Sequence, residues 1–170
     1  KQRAHPVSGG SVAQPPAKRL RSTAASTGGV ASVALVRAED EHVLLTRETR
    51  GGKTLLNLPG GKGEAGETLG QTAAREAHEE TGKQLTEGTR VAIATIADWA
   101  ECTANQGRVG VLRLAADSPD ATVDQRFDSI AANAVHSKTA QLGLEWHPLS
   151  TVRSDAWRAQ HMHFPGQHRL

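Results

Sequence analysis

The apolar and polar positions of this chain alternate in a way that predicts strands and helices in turn. Val30 to Arg37 is an apolar, β-branched run of the kind that forms a buried strand. Glu39-Asp40-Glu41 follows as a polar turn, and His42 to Arg47 supplies a second strand. Gly51-Gly52-Lys53 predicts a loop before a short strand over Thr54 to Leu58. A helix is predicted from about Leu69 to Thr81. Thr68 is its N-cap, Gln71 at N3 completes a capping box, and Gly82 suits the C-terminal cap. Arg90 to Trp99 and Arg108 to Ala115 read as a strand pair joined through Glu101 to Gly107. Asp117 to Asp124 reads as a polar loop, and residues 125 to 141 fit either a helix or a long excursion. Leu142 to His147 is a further strand and Leu149 to Gln160 a closing helix, after which 161–170 shows no pattern. No internal repeat is present, and no apolar run approaches the length of a membrane span.

The chemistry concentrates between Gly61 and Lys83, GKGEAGETLGQTAAREAHEETGK. Glu76, Glu79 and Glu80 stand at i, i+3 and i+4, which stacks their side chains on one side of a helix. A like-charge pair at that spacing costs about 0.2–0.5 kcal/mol. Mutual repulsion raises at least one carboxylate pKa unless a cation sits among them. The run therefore predicts a divalent metal site, and oxygen ligands of this hardness suit Mg²⁺ or Mn²⁺ rather than Zn²⁺. Arg75 can reach Glu79 at i,i+4 and hold it with a forked hydrogen bond. Ahead of the helix, Leu58-Pro59-Gly60-Gly61 makes a turn where backbone can approach a ligand closely.

Gly61, Glu67, Arg75, Glu76, Glu79, Glu80 and Gly82 fall at the offsets G-x5-E-x7-R-E-U-x-E-E-x-G-U, with U apolar, and the run resembles the signature of the Nudix hydrolases. Ala77 is acceptable at the first U, whereas Lys83 departs from the aliphatic residue usual at the second. The resemblance implies the family's α/β/α sandwich around a mixed β-sheet. It implies that Glu76, Glu79 and Glu80 bind Mg²⁺ or Mn²⁺ together with the Gly60 carbonyl, and that Arg75 orients a glutamate. Glu67 would support loop and helix, and Glu79 or Glu80 would act as general base. The implied activity is metal-dependent cleavage of a diphosphate linkage in a nucleoside diphosphate-X substrate: a nucleoside triphosphate, a dinucleotide or a nucleotide sugar. The alternatives are the same chemistry on capped RNA or diphosphoinositol phosphates, and a non-catalytic nucleotide-binding module of the same fold.

Other candidates are less specific. Arg47, Arg50 and Lys62 near the glycine turn either contact phosphates or are ordinary surface cations. Trp99 at a strand end either stacks on a base or packs at the core rim, and Trp146 poses the same choice. Asp117, Asp120 and Asp124 either add a metal ligand or are solvated loop acids. His78 falls at the free position of the signature and is expected to face away from the metal.

Composition changes the picture mainly at the N-terminus. The first 30 residues hold Lys1, Arg3, Lys18, Arg19 and Arg21 and no acid. The remaining 140 carry 15 basic against 18 acidic residues, net −3, so the basic balance of the whole chain belongs to the tail. That disfavours nucleic acid as a partner of the folded body and leaves small nucleotides favoured. The expected organisation is a basic tail over residues 1–28, a catalytic domain over 29–160 and a C-terminal tail over 161–170. The tail is rich in Ser, Ala, Gly and Pro and is expected to lack order. Pro16-Ala17-Lys18-Arg19-Leu20-Arg21 resembles a short nuclear-import signal, and an acid-free, Arg- and Ser-bearing start also suits a mitochondrial transit peptide. The single cysteine, Cys102, excludes an internal disulfide and points to a reducing, intracellular compartment, cytoplasmic or nuclear. The only methionine is Met162, so a trimmed or processed chain is expected.

Overall fold

The β-branched run near the start becomes the centre of a sheet. In the computed structural model, which describes residues 29–50, 52–102, 107–126 and 140–163, strand β1 (Val30–Arg37) is buried from Ala31 to Val36. Burial on both faces is what a continuous apolar strand demands. β1 pairs antiparallel with β2 (His42–Arg50) at its C-terminal end, through Val36 and Arg37. Its N-terminal end pairs instead with β4 (Gly60–Lys62), which follows β3 (Lys53–Asn57). On its other side β1 runs parallel to β6 (Gly107–Leu114), with Ala31 to Arg37 facing Arg108 to Leu114. The short β5 (Ala100–Cys102) closes that edge on β6, and β7 (Ala140–Pro148) pairs with β2. The described residues thus form a seven-stranded mixed sheet with the path β3-β2-β1-β6-β5.

Helices cover both faces, which is the expected α/β/α sandwich. Val33, Leu35 and Leu44 point to one layer and pack with Ala73 and Ala77 of helix α1 (Leu69–Glu80) and Ile93 of helix α2 (Glu87–Ala94). Ala34, Val36, Val43 and Leu45 point to the other layer and pack with Leu149 and Val152 of α3 (Leu149–Val152) and with Met162. Cys102 is buried in this second layer, and that burial pushes its thiol pKa up. Among the described residues no helix is long and apolar enough to cross a membrane.

Several segments depart from the expected elements. Arg90 to Trp99 is not a strand: most of it belongs to α2 and the turn after it. Thr86 caps that helix by accepting from the Thr89 N–H. Thr89 and Ile93, one helical turn apart, are buried while Val91 between them is 52% exposed. That is helical periodicity carried by β-branched residues, whose strand preference is a weak prior. The polar loop expected over Asp117 to Asp124 gives way at Pro119 to a 3-10 helix, Pro119–Arg126, kinked at Thr122. The closing helix is two, α3 and α4 (Asp155–His161), because Ser154 starts a new cap by accepting from the Trp157 N–H. Folded structure also continues past Gln160: Met162 is 2% exposed and bridges Leu56, and the His163 N–H donates to the Leu56 carbonyl. The tail over residues 1–28 and most of the excursion over 125–141 lie outside the described residues.

Candidate active site

The capping box forms as the sequence predicts. Thr68 accepts from the Gln71 N–H, and the Gln71 side chain accepts from the Thr68 N–H. It fixes where α1 begins, and hence which face carries Arg75, Glu76, Glu79 and Glu80. At the other end Gly82 and Lys83 both take positive φ, 67° and 62°, turning the chain out of the helix. Lys83 is exposed, and the buried aliphatic residue beyond the helix is Leu85. That accounts for the departure from the signature at Lys83.

β4 lies against α1 so closely that the signature glycine is a steric requirement. A Cβ on Gly61 would stand 2.4 Å from Glu76 Cδ and 2.5 Å from its Oε2. Gly60 donates its N–H to Glu80 Oε2 at 2.9 Å, so the turn binds a signature carboxylate directly.

Arg75 organises the rest, though not through the partner expected. Its forked bond goes to Glu67, from Nε to Oε1 at 2.8 Å and from Nη2 to Oε2 at 3.0 Å. Nη1 donates to Glu76 at 2.8 Å, and Nη2 also reaches the Lys62 carbonyl at 3.1 Å. Glu79, the predicted partner, is 3.6 Å away, and its side chain is 52% exposed. The loop before α1 brings Glu67 back over Arg75, and a half-buried bidentate pair outcompetes an exposed i,i+4 contact. Glu67 also accepts from the Glu64 N–H and the Thr72 hydroxyl.

The charges respond accordingly. The Arg75 fork holds Glu67 down to about 2 against the opposing pull of burial. Arg75 is raised in turn, chiefly by Glu67. Burial pushes Glu76 up despite Arg75, and Glu79 and Glu67 add to the rise. Glu80 is raised well above the usual carboxylate range by burial first, then by Glu48, with Glu76 and Glu79 contributing and the Gly60 N–H opposing. Among the described residues no three acidic, histidine or cysteine side chains already converge to hold an ion. Arg75 draws Glu67 and Glu76 to itself, Glu80 turns to Gly60, and Glu79 extends outward.

Glu48 escaped the sequence reading. It is 4% exposed on β2 and accepts from the Thr46 hydroxyl at 3.3 Å. A buried acid at an inward strand position, Thr46-Arg47-Glu48, was the available signal.

The less specific candidates sort themselves. Arg47 pairs with Glu145 on β7, and Glu145 bonds His147, which lies against the Trp157 ring. Arg47 continues the alternation of Val43 and Leu45, so it lies on the sheet face opposite α1 and is not brought to the signature. Arg50 pairs through its backbone with Lys53 at the far end of the hairpin, and its side chain lies outside the description. Lys62 is exposed on β4, beside Arg75. Trp99 bonds the Ile96 carbonyl and packs at the rim of the core, as Trp146 does. Asp120 is buried and accepts from the Thr86 N–H and hydroxyl, which anchors α2 and leaves it no ligand role, while Asp117 is exposed.

Residues 27–164 match the family model described as the NUDIX domain. Among solved structures, a NUDIX hydrolase from Nitrosomonas europaea is 20% identical, with TM-score 0.44 over 81% of each chain. The MutT protein from Methanosarcina mazei Go1 is 19% identical, with TM-score 0.40 over 73% of this chain and 78% of that one. A bifunctional NMN adenylyltransferase/ADP ribose pyrophosphatase from Francisella tularensis, complexed with AMP and a Mn ion, is 20% identical with TM-score 0.44. That match covers 76% of this chain, which spans only 36% of the bifunctional enzyme. No curated protein matches at a significant level.

Proposed function

This chain belongs to the Nudix family of hydrolases acting on phosphoric anhydride bonds, and on that premise we propose that it is a divalent-metal-dependent pyrophosphohydrolase of small nucleoside diphosphate derivatives. The observation that carries the reading is the Arg75-anchored set of signature glutamates held against the Gly60-Gly61 backbone.

The donor set fits a hard cation. It consists of carboxylate oxygens and one backbone carbonyl, and it crowds negative charge into a desolvated place where Glu76 and Glu80 are both pushed up. Glu76, Glu79, Glu80 and the Gly60 carbonyl would hold Mg²⁺ or Mn²⁺. When bound, such an ion neutralises the anionic diphosphate and lowers the pKa of water beside it.

The chain's own residues do the rest. Arg75 fixes Glu76 in orientation and cancels part of the local charge. Glu67 holds Arg75 and ties the loop to the helix through Glu64 and Thr72. Glu79 is exposed and held only at 3.6 Å from Arg75, so it is the acid free to swing toward a diphosphate and take a proton from the attacking water. Glu80 is the second candidate for that base.

A panel of nucleoside triphosphates, dinucleotides and nucleotide sugars, assayed with Mg²⁺ or Mn²⁺ and with products resolved, tests this. Cleavage at a diphosphate linkage that needs the metal is expected. Glu79→Gln should lower turnover by about a hundredfold or more. Absence of metal-dependent cleavage across the panel would refute the reading.

A further inference from the structure

Glu48 lies outside the signature run, yet the sheet delivers it there. Leu44 packs with Ala73 and Ala77 of α1. Thr46 and Glu48 follow at alternate positions of β2 and so face the same helix. Both are buried, Thr46 fully and Glu48 at 4% exposure. Register fixes the height. β1 and β2 run antiparallel with Val36 opposite Val43. Counting back along β1 to Ala31 and on along β2 to Glu48 brings those two residues level. Ala31 in turn pairs with Gly61, and Ser32 with Gly60, of β4. Glu48 therefore stands at the height of the glycine turn, on the side that faces α1. The pairing of β2 with β7 slips between Arg47 and Glu48, from Gly143 to Gln141, and such a bulge bends the strands and re-aims the side chain beside it.

What surrounds this carboxylate is short of positive charge. The Thr46 hydroxyl donates to it at 3.3 Å, and the same hydroxyl stands 3.3 Å from the Asn57 carbonyl, so one proton is divided between two acceptors. No lysine, arginine or histidine forms an ion pair with the Glu48 carboxylate among the described residues. A second acid is close instead: Glu48 is the group that, next in effect to burial, pushes Glu80 up. An ionised carboxylate buried without a counter-charge is strongly destabilising, and another beside it adds repulsion. A divalent cation between sheet and helix removes both penalties, and carboxylate oxygen is the ligand such an ion takes.

We propose that Glu48 is a further acid of the cation site, facing the ion from the sheet as Glu80 faces it from α1. That role rests on the metal-dependent reading above and adds to it an acid from a strand outside the signature. Thr46 orients the Glu48 carboxylate through its hydroxyl.

Calorimetric titration of the full chain with Mn²⁺, without nucleotide, tests this in wild type, Glu48→Gln and Glu48→Asp. Glu48→Gln keeps the side chain's size and its bond from Thr46 while removing the charge. Its Mn²⁺ dissociation constant should rise about 10–100-fold, with Glu48→Asp closer to wild type because the charge remains. Urea unfolding of the metal-free proteins separates this from a packing role. With one of two like charges gone, Glu48→Gln should be at least as stable as wild type at pH 7. A packing residue would instead lose stability and leave the Mn²⁺ affinity of the folded chain unchanged. Equal Mn²⁺ affinity in wild type and Glu48→Gln would overturn the proposal and leave the metal-dependent reading intact. Loss of the metal-free fold in Glu48→Gln would overturn it as well. No Mn²⁺ uptake by the wild type would sink the proposal and that reading together. Mn²⁺ uptake without cleavage of any nucleotide would refute hydrolysis alone and leave the role of Glu48 to the affinity comparison.

Discussion

Replacing Glu67 by Gln removes the charge from the best-formed ion pair at the site while keeping its shape. The fork from Arg75 takes Glu67 from 4.5 to about 2. At about 1.4 kcal/mol per pKa unit, that corresponds to about 3 kcal/mol of stability at neutral pH. The two side chains remain 18% and 25% exposed, so solvent screening brings the expected loss to about 1–2 kcal/mol. The sign follows from a depressed folded pKa. The stabilisation is fully present above the unfolded value near 4.5 and disappears as pH falls toward about 2. Urea unfolding of wild type and Glu67→Gln should therefore differ by about 1–2 kcal/mol at pH 7, and the two curves should approach each other as pH is lowered through this window. Equal stability at pH 7, or a gap that stays constant down to the acid limit of folding, would refute the assignment of Glu67 as the partner of Arg75.

Gly61→Ala puts a methyl group where the Glu76 carboxylate stands, so Mn²⁺ affinity should weaken and turnover fall by about a hundredfold, read by calorimetry and initial rates. Wild-type-like values for both would mean that Glu76 does not depend on this approach. Glu80, raised by burial, loses stabilising influence on the metal-free fold as pH climbs above 4.5, and a cation beside it reverses this. Metal uptake at mildly acidic pH should accordingly release protons, and heats independent of buffer ionisation enthalpy would contradict that. Asp120→Ala strips the half-buried Thr86 N–H and hydroxyl of their acceptor and should cost about 1–2 kcal/mol in denaturant melts. A loss below about 0.5 kcal/mol would deny Asp120 its anchoring role.

Local chemistry was readable where short-range rules dominate. The apolar run from Val30 sets β1 because only a two-sided core accommodates it, and Thr68 with Gln71 sets the first turn of α1 because a capping box closes within four residues. Arg90 to Trp99 failed because β-branched residues carry both strand preference and, here, one buried helical stripe. Deciding between them requires knowing that Thr86 is pinned by Asp120, which lies 34 residues away. Arg47 of β2 was misplaced for a related reason: alternation sends it to the face opposite α1, where Glu145 of β7 meets it.

What the sequence by itself determined is the inventory and the spacing: a helix with three acids on one side, an arginine among them, and a glycine bend ahead. Side-chain stacking at i, i+3 and i+4 follows from helix geometry alone. Only the tertiary structure decided which acid Arg75 takes, that Gly61 must lack a Cβ because Glu76 fills the space, and that Glu48 stands near Glu80. Those outcomes depend on how separate segments return to one point, and the close contacts and burial that select among them exist only once the chain has packed.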